Sequence, residues 1–409
     1  MTPNLPLAAW GAALAALDLM NPLRLRTLLS DGLDPEQAWA CLAAGHPPRA
    51  LAAMTGDDAV KQWRAATATV DPAEVWRRCR AIGLAVHVKG FDTTYPAALA
   101  DDPSAPLVLF SLGDLAALDR PRAALVGTRN ATVMGREIAF ELGAALAEAG
   151  VTVVSGLAAG IDAACHRGAL SVADLAPPVG VVGSGLDVVY PAANRSLWDA
   201  VASHGLLLSE QPPGARPMPY NFPLRNRIIA ALGDPLVVVE SHERGGSLIT
   251  AHQAIRRGHM VMAVPGSIRS PASVGTNQLL RDGCHVLLDP LDVLVVVGLA
   301  TAGAPSSQLT LPLGGSSTDR SPETSPDRWL LDGLGGAPAT IDDLVERSGR
   351  DLDQILAAMS RLDDHGLITQ RGPWVMPVGR PRRSPRVGRP APINRRDMFE
   401  GSSDDDQGW

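Results

Sequence analysis

Between positions 120 and 299 the chain alternates short valine-rich runs with longer amphipathic stretches, and this alternation restricts the possible folds more than any other feature. The apolar runs are "AALVG" (123–127), "VTVVS" (151–155), "VGVVG" (179–183), "LLLS" (206–209), "LVVVE" (236–240), "MVMAV" (260–264) and "HVLL" (285–288). They are continuous rather than alternating, as strands are when helices bury both faces of a parallel sheet. Helices are expected between them, over 135–149, 194–203, 247–257 and 276–282. The pattern predicts an α/β fold: an extended Rossmann-like, doubly wound, mostly parallel sheet whose ligands bind at the carboxyl ends of the strands.

The flanking regions differ. Residues 1–75 read as short Ala/Leu-rich helices broken by "NPL", "LDPEQ" and "GHPP", a small helical domain of the SAM or helix-hairpin-helix kind. Residues 76–119 read as a turn-rich approach to the sheet, so the α/β domain is placed at 76–299. The Pro/Ser/Gly/Thr-rich residues 300–327 are expected to be a flexible linker. In 328–378, Thr340 can cap a helix with Asp343 three residues on. A second helix is expected over 352–364, Gly366 ends it, and "LITQRGPWVMP" reads as a hairpin. Two helices and a hairpin predict a winged-helix-like domain. The Pro/Arg-rich, then acidic, residues 379–409 read as a disordered tail.

Composition removes several classes. Aromatic residues are only 4%, so the cores rest on Ala, Val, Leu and Ile. The apolar start lacks a basic leader and carries Asp18, and no apolar run is long enough for a bilayer, so neither a signal peptide nor a membrane segment is expected. Cys41, Cys79, Cys165 and Cys284 lie far apart with no C-x-x-C pair, which predicts reduced thiols in a cytoplasm rather than a zinc knuckle or redox motif. A formal net charge of -7 argues against a polybasic DNA binder. Residues 120–299 hold 14 arginines and 14 acidic residues, so position rather than number must decide what the arginines do.

Four strand ends carry loops of small residues: "GTRNATVMG" (127–135), "SGLAAGID" (155–162), "GSGLD" (183–187) and "ERGGSLITA" (243–251). Such loops let backbone N–H groups approach a phosphate, with a helix N-terminus behind. There is no G-x-G-x-x-G fingerprint, no G-x-x-x-x-G-K-[ST] and no G-x-S-x-G, so nicotinamide, Walker-type nucleotide and hydrolase chemistry are disfavoured. Arg129 lies inside the first loop. Arg225 and Arg227 open a helix expected to start after Pro223, with Phe222 just upstream. An aromatic beside arginines suits a single strand, bases stacked and backbone clamped. The competing reading packs Phe222 as a staple before the helix and pairs Arg225 and Arg227 with Glu210, Asp234 or Glu240. Asp162 and His166, four apart on a helix, read as a structural pair or as a base with its orienter. Asp187 and Tyr190 are expected to shape a loop. His242, His252 and His259 are scattered without carboxylates, so no metal centre or cofactor is expected. Residues 327–377 hold nine acidic and five basic side chains, which suits a protein-interaction module better than a major-groove reader. Arg380, Arg382, Arg383, Arg386, Arg389, Arg395 and Arg396 give the tail weak, salt-sensitive DNA affinity at most.

The segments "LVGTRNATVMG", "VVSGLAAGIDAACHRGAL", "GLDVVYPAANRSLW", "LLSEQPPG", "NFPLRNRIIAAL", "GSLITAHQAIRRG" and "VMAVPGSI…GTNQLLRDG" follow one another in the order and spacing of the bacterial DNA-processing protein A family (DprA, also called Smf). The chain resembles that family over roughly 90–290. The resemblance implies a homodimer that binds single-stranded DNA without hydrolysing anything and recruits RecA onto incoming DNA during natural transformation. By motif position, Gly127, Thr128 and Arg129 resemble the family's G-[ST]-R loop, and Phe222, Arg225, Asn226 and Arg227 its F-P-x-R-N-R segment. Gly156, Gly160, Gly183, Ser184 and Ser247 fall among the small residues of the same edge. Ala159 and Leu224 stand where basic residues are frequent in the family, and Gly245 where Ser is usual. The alternative function is a nucleotide-processing enzyme of the phosphoribohydrolase kind, echoed by "PGSIRSPASVGTNQ" (265–278). Asn277 and Gln278 follow the Thr where such enzymes carry a catalytic Glu, so a non-catalytic binder is expected.

Overall fold

A computed structural model describes residues 5–30, 32–172, 175–299, 327–334, 339–364, 367–371 and 374–377. The chain divides into two compact units, Met1–Leu309 and Thr310–Trp409. The expected linker up to residue 326 and the expected tail lie outside the described residues.

Nine strands of the first unit form one sheet: β1 Ala85–Val88, β2 Val108–Gly113, β3 Arg122–Val126, β4 Thr152–Ser155, β5 Val179–Val182, β6 Leu206–Ser209, β7 Leu236–Val238, β8 Val261–Ala263 and β9 His285–Val286. Their order is β1-β2-β6-β5-β4-β3-β7-β8-β9. Strands β3 to β9 run parallel to one another, while β2 is antiparallel to both β6 and β1. Each run expected as a strand appears here. Neither β1 nor β2 was expected in the turn-rich approach: each is short and closely flanked by turns, so the turn residues mask it.

Successive residues of the central strands face opposite sides, as the pleat requires. Ala123 and Leu125 pack with Leu142, Leu146, Ile161 and Cys165 on one face. Ala124 and Val126 pack with Ile228, Ile229, Ala251 and Ala254 on the other. Both faces are dry, so continuous apolar strands are the only ones that fit. A third cluster joins the N-terminal helices to the sheet margin, with Leu14, Leu28, Trp39 and Trp63 in one core with Val86, Val88 and Phe110. The helical region is therefore part of the same compact unit.

From β3 the chain winds through the helices Val133–Glu148, Ile161–Ser171 and Arg195–His204 to β6. The helix Asn221–Leu232 then brings it back to β7, on the other side of β3. The strand order therefore reverses between β3 and β7, and the loops at that reversal leave a crevice at the carboxyl edge.

In the second unit, β10 Ala339–Thr340, β11 Ile368–Arg371 and β12 Trp374–Pro377 form an antiparallel sheet ordered β10-β12-β11. It packs with the helices Arg328–Leu334, Ile341–Ser348 and Leu352–Asp364 around Leu334, Leu344, Ile355, Leu362 and Val375. The Arg361 guanidinium donates to both Asp327 oxygens, at 2.7 and 2.9 Å. Among the described residues no helix is long and apolar enough to cross a membrane.

Candidate nucleic-acid interface

Glu240, just past β7, organises the loop after β3. Its carboxylate accepts from Thr132 N at 2.9 Å and Thr132 Oγ1 at 2.6 Å, and its main-chain oxygen accepts from Thr128 N at 2.8 Å. Thr132 caps the following helix through Gly135 N, at 2.9 Å. This bracing leaves Arg129 exposed at the loop crest, its guanidinium carbon 4.7 Å from the centre of the Phe222 ring. Tyr190, from the loop after β5, lies beside Phe222 with ring centres 5.4 Å apart and remains 40% exposed. A guanidinium and two aromatic rings thus share one surface.

The helix carrying Phe222 runs from Asn221 to Leu232, so it begins two residues before Pro223 rather than after it. Proline fits in a first turn, where its missing N–H would have no intrahelical partner. Arg225 and Arg227 therefore sit in the second turn rather than opening the helix, where the positive end of the helix dipole, which would disfavour them, has largely faded.

The two arginines have separate fates. Arg225 is only 6% exposed. Its Nη1 donates to Val181 O, and its Nε has no partner among the described residues. A Cβ on Gly156 would fall 1.8 Å from Arg225 Nη1, so only glycine leaves room for this guanidinium. Arg225 and, farther out, Arg129 face the buried Asp162, whose carboxylate accepts from the amides of Ala158 and Gly156. Burial raises the Asp162 carboxyl above its ordinary range against both arginines, and burial pushes Arg225 down to about 10. Arg227 turns away: its Nη2 reaches the two Glu210 oxygens at 2.5 and 2.6 Å. It lines neither compartment of the cleft. The ion-pair reading thus holds for Arg227, with Glu210 as partner.

The cleft has two compartments divided by Arg129, Phe222, Arg225 and Ala158. One, of about 110 Å³, is lined by Gly156, Ala159, Gly183, Ser184, Tyr190 and Pro191 as well. The other, of about 280 Å³, adds Gly127, Thr128, Asn226, Gly245, Gly246 and Ser247. Two of these residues brace rather than offer donors. Ser184 Oγ donates to Val188 O at 2.7 Å, and Ser247 Oγ to Ser241 Oγ at 2.8 Å. Asn226 Nδ2 donates to Gly246 O at 3.4 Å. Gly160 lies behind the cleft: its φ is +81°, and a Cβ there would come within 2.3 Å of Thr128 O. Ala159 is exposed and Leu224 half-buried, so neither adds charge.

Tyr190 was assigned only a loop-shaping role from sequence; its position beside the small Gly183–Ser184 turn was the available signal. Asp162 and His166 do not form a base with its orienter. His166 Nε2 pairs with Val179 O at 3.2 Å, and burial holds the imidazole down at about 4, so it is neutral. Among the described residues no group of three His, Cys, Asp or Glu side chains is placed to hold a metal. What the geometry offers, among the described residues of the cleft, is a stacking surface beside an exposed guanidinium.

The chain matches the family model described as DNA recombination-mediator protein A over residues 87–298, and that of the DprA winged helix domain over 316–372. It is 41% identical over 274 residues to the putative DNA processing protein DprA of Mycobacterium tuberculosis strain H37Rv, covering 66% of this chain and 68% of the relative. It is 40% identical over 200 residues to DNA processing protein DprA of Bacillus subtilis strain 168, covering 49% and 67%. Its fold is similar to the X-ray structure of DNA processing protein A from Streptococcus pneumoniae, with TM-score 0.60 and 30% identity over 72% of this chain and 98% of that one. With the doubly wound sheet, the loop and helix motifs and the C-terminal domain all accounted for, the chain belongs to the DNA recombination-mediator protein A (DprA/Smf) family.

Proposed function

We propose that this protein binds single-stranded DNA without hydrolysing it, protects the strand, and loads RecA recombinase onto it during natural transformation, acting as a homodimer in the cytoplasm. The observation that carries the reading is the exposed Arg129 guanidinium over Phe222, with Tyr190 alongside, in an open cleft at the carboxyl edge of the sheet. Bases unstacked from a duplex can lie on such rings, and stacking contributes about 1–3 kcal/mol per base. The names of the relatives, DNA processing proteins, support a nucleic-acid substrate.

The enzymatic alternative is weaker. Asn277, which follows Thr276, is held at both ends of its amide by Gly266, through Gly266 N at 3.2 Å and Gly266 O at 3.0 Å. It braces a loop and offers no general base.

Mobility shift of an unstructured oligonucleotide across a salt series tests the binding. Single strands should be preferred to duplex, and Arg129→Ala should lower the salt slope by about 0.7 for the lost phosphate contact. Equal affinity for duplex, or an unchanged Arg129→Ala protein, refutes it. RecA loading is read as recovery of RecA-dependent ATP hydrolysis on oligonucleotide coated with single-strand binding protein. The dimer is read by light scattering as twice the 42.8 kDa chain. Release of free base from a nucleoside monophosphate would restore the enzymatic reading.

A further inference from the structure

One aromatic wall of the cleft stands on a loop and the other at the start of a helix, and the loops that lead to them meet at one side chain, Asp187. The loop after β5 carries Gly183, Ser184, Asp187 and Tyr190, and the loop after β6 leads through Gly214 into the Phe222 helix. Asp187 Oδ1 accepts from Gly214 N at 2.7 Å, tying the two loops together. Gly185 N donates to Ala215 O at 2.9 Å, a second tie beside the first. The other carboxylate oxygen, Asp187 Oδ2, accepts from Arg78 Nη2 at 3.0 Å. Arg78 comes from the helix Pro72–Ala81, outside the loops of the binding edge. Gly214 has φ +82°, and a Cβ on it would lie 2.7 Å from Arg78 Nη2, so the guanidinium sits against the loop backbone.

We infer that Arg78 is a positioning residue for DNA binding: through Asp187 it locks the Tyr190 loop against the segment leading into the Phe222 helix, and so holds the two rings in the spacing that a base needs. The inference rests on the single-strand reading above and extends the functional site to a helix that touches no DNA. Arg78 lines neither compartment of the cleft, so its action is indirect. The Asp187 side chain is 20% exposed and that of Arg78 55%, so the pair is partly solvent-screened and its removal should leave the fold intact.

The test measures oligonucleotide affinity by fluorescence anisotropy for the full chain and its Arg78→Ala, Arg78→Lys and Tyr190→Ala variants, with melting curves as a folding control. Arg78→Ala should weaken binding by about 5-fold, the upper end for an exposed ion pair. Arg78→Lys should recover part of the loss. The salt slope should not change, because no phosphate contact is removed. In the Tyr190→Ala background Arg78→Ala should add little, since there is no longer a pair of rings to space. Parental affinity in Arg78→Ala, a salt slope lowered by about 0.7, or full additivity with Tyr190→Ala overturns the inference. If the parent binds and Arg129→Ala does not, such a result removes Arg78 alone; if the parent itself does not bind, the single-strand reading falls and this inference with it.

Discussion

Replacing Arg227 tests whether it is a structural arginine or one that meets the proposed single strand. Its ion-pair partner Glu210, whose two oxygens both accept from Arg227 Nη2, has a side chain 8% exposed, and that of Arg227 is 12% exposed. Burial raises the Glu210 carboxyl above its ordinary value even with Arg227 opposing it, so for this carboxylate desolvation outweighs the attraction. Arg227→Ala strands that carboxylate and should cost about 3–5 kcal/mol of stability, whereas Arg227→Met with Glu210→Leu should be neutral or stabilising. The sign with pH follows. A carboxyl whose folded pKa is raised weighs most against the fold when ionised, so the Arg227→Ala deficit should shrink as pH falls from 8 towards 5. Urea denaturation at several pH values measures the stabilities, and oligonucleotide titration of the double variant at two salt concentrations measures binding. The double variant should bind with the parent's salt slope. A stability loss under about 1 kcal/mol for Arg227→Ala, or a slope lowered by about 0.7 in the double variant, refutes the assignment.

Gly160→Ala forces an L-residue into a glycine-only conformation and drives a methyl into Thr128 O, so it should cost about 2 kcal/mol or more and reduce oligonucleotide binding by displacing the Arg129 loop; parental stability and affinity would show that the loop does not depend on Gly160. Ellman's reagent should find two fast thiols in the native protein and four in denaturant. Burial pushes the Cys79 thiol up to about 11 and raises Cys165 further; burial raises Cys284 as well, but it and Cys41 are only half-buried and so within reach of the reagent. Buried His166, held at about 4, binds its proton only in the unfolded chain between pH 6.5 and 4. It should therefore remove up to about 1.4 kcal/mol of stability per pH unit as pH falls through that window, and His166→Gln should flatten the profile.

The sheet was legible because its strands are buried on both faces: a run such as "LLLS" has no other stable place, and β6 spans those four residues. The helix Leu352–Asp364 was legible to the residue, since Gly366 and the apolar spacing both mark it. The strands β1 and β2 were not legible. Buried His87 occupies the centre of β1, satisfied by Thr94 Oγ1 at 2.8 Å and Ser111 Oγ at 2.9 Å, and such a polar residue interrupts the apolar pattern. Its partners lie 7 and 24 residues away. Long-range satisfaction of a buried polar group leaves no local mark in the sequence.

The site shows the same limit more sharply. Arg129, Arg225 and Arg227 are identical in sequence terms, yet one is exposed on an aromatic ring, one is buried against backbone and Asp162, and one is consumed by Glu210. Residue type and spacing bring them to one edge, but burial and partner decide their charge, and both depend on chain segments that close only in three dimensions. With Ala159 and Leu224 uncharged and Arg227 paired, Arg129 is the guanidinium left to meet solvent at the centre of the cleft. On the single-strand reading proposed above, the floor of the cleft then offers few phosphate contacts, and stacking on Phe222 and Tyr190 carries a large share of what it contributes. A cleft built this way gains most from keeping its two rings at a fixed spacing, which is why the Asp187 tie between their loops bears on binding although it never reaches the strand.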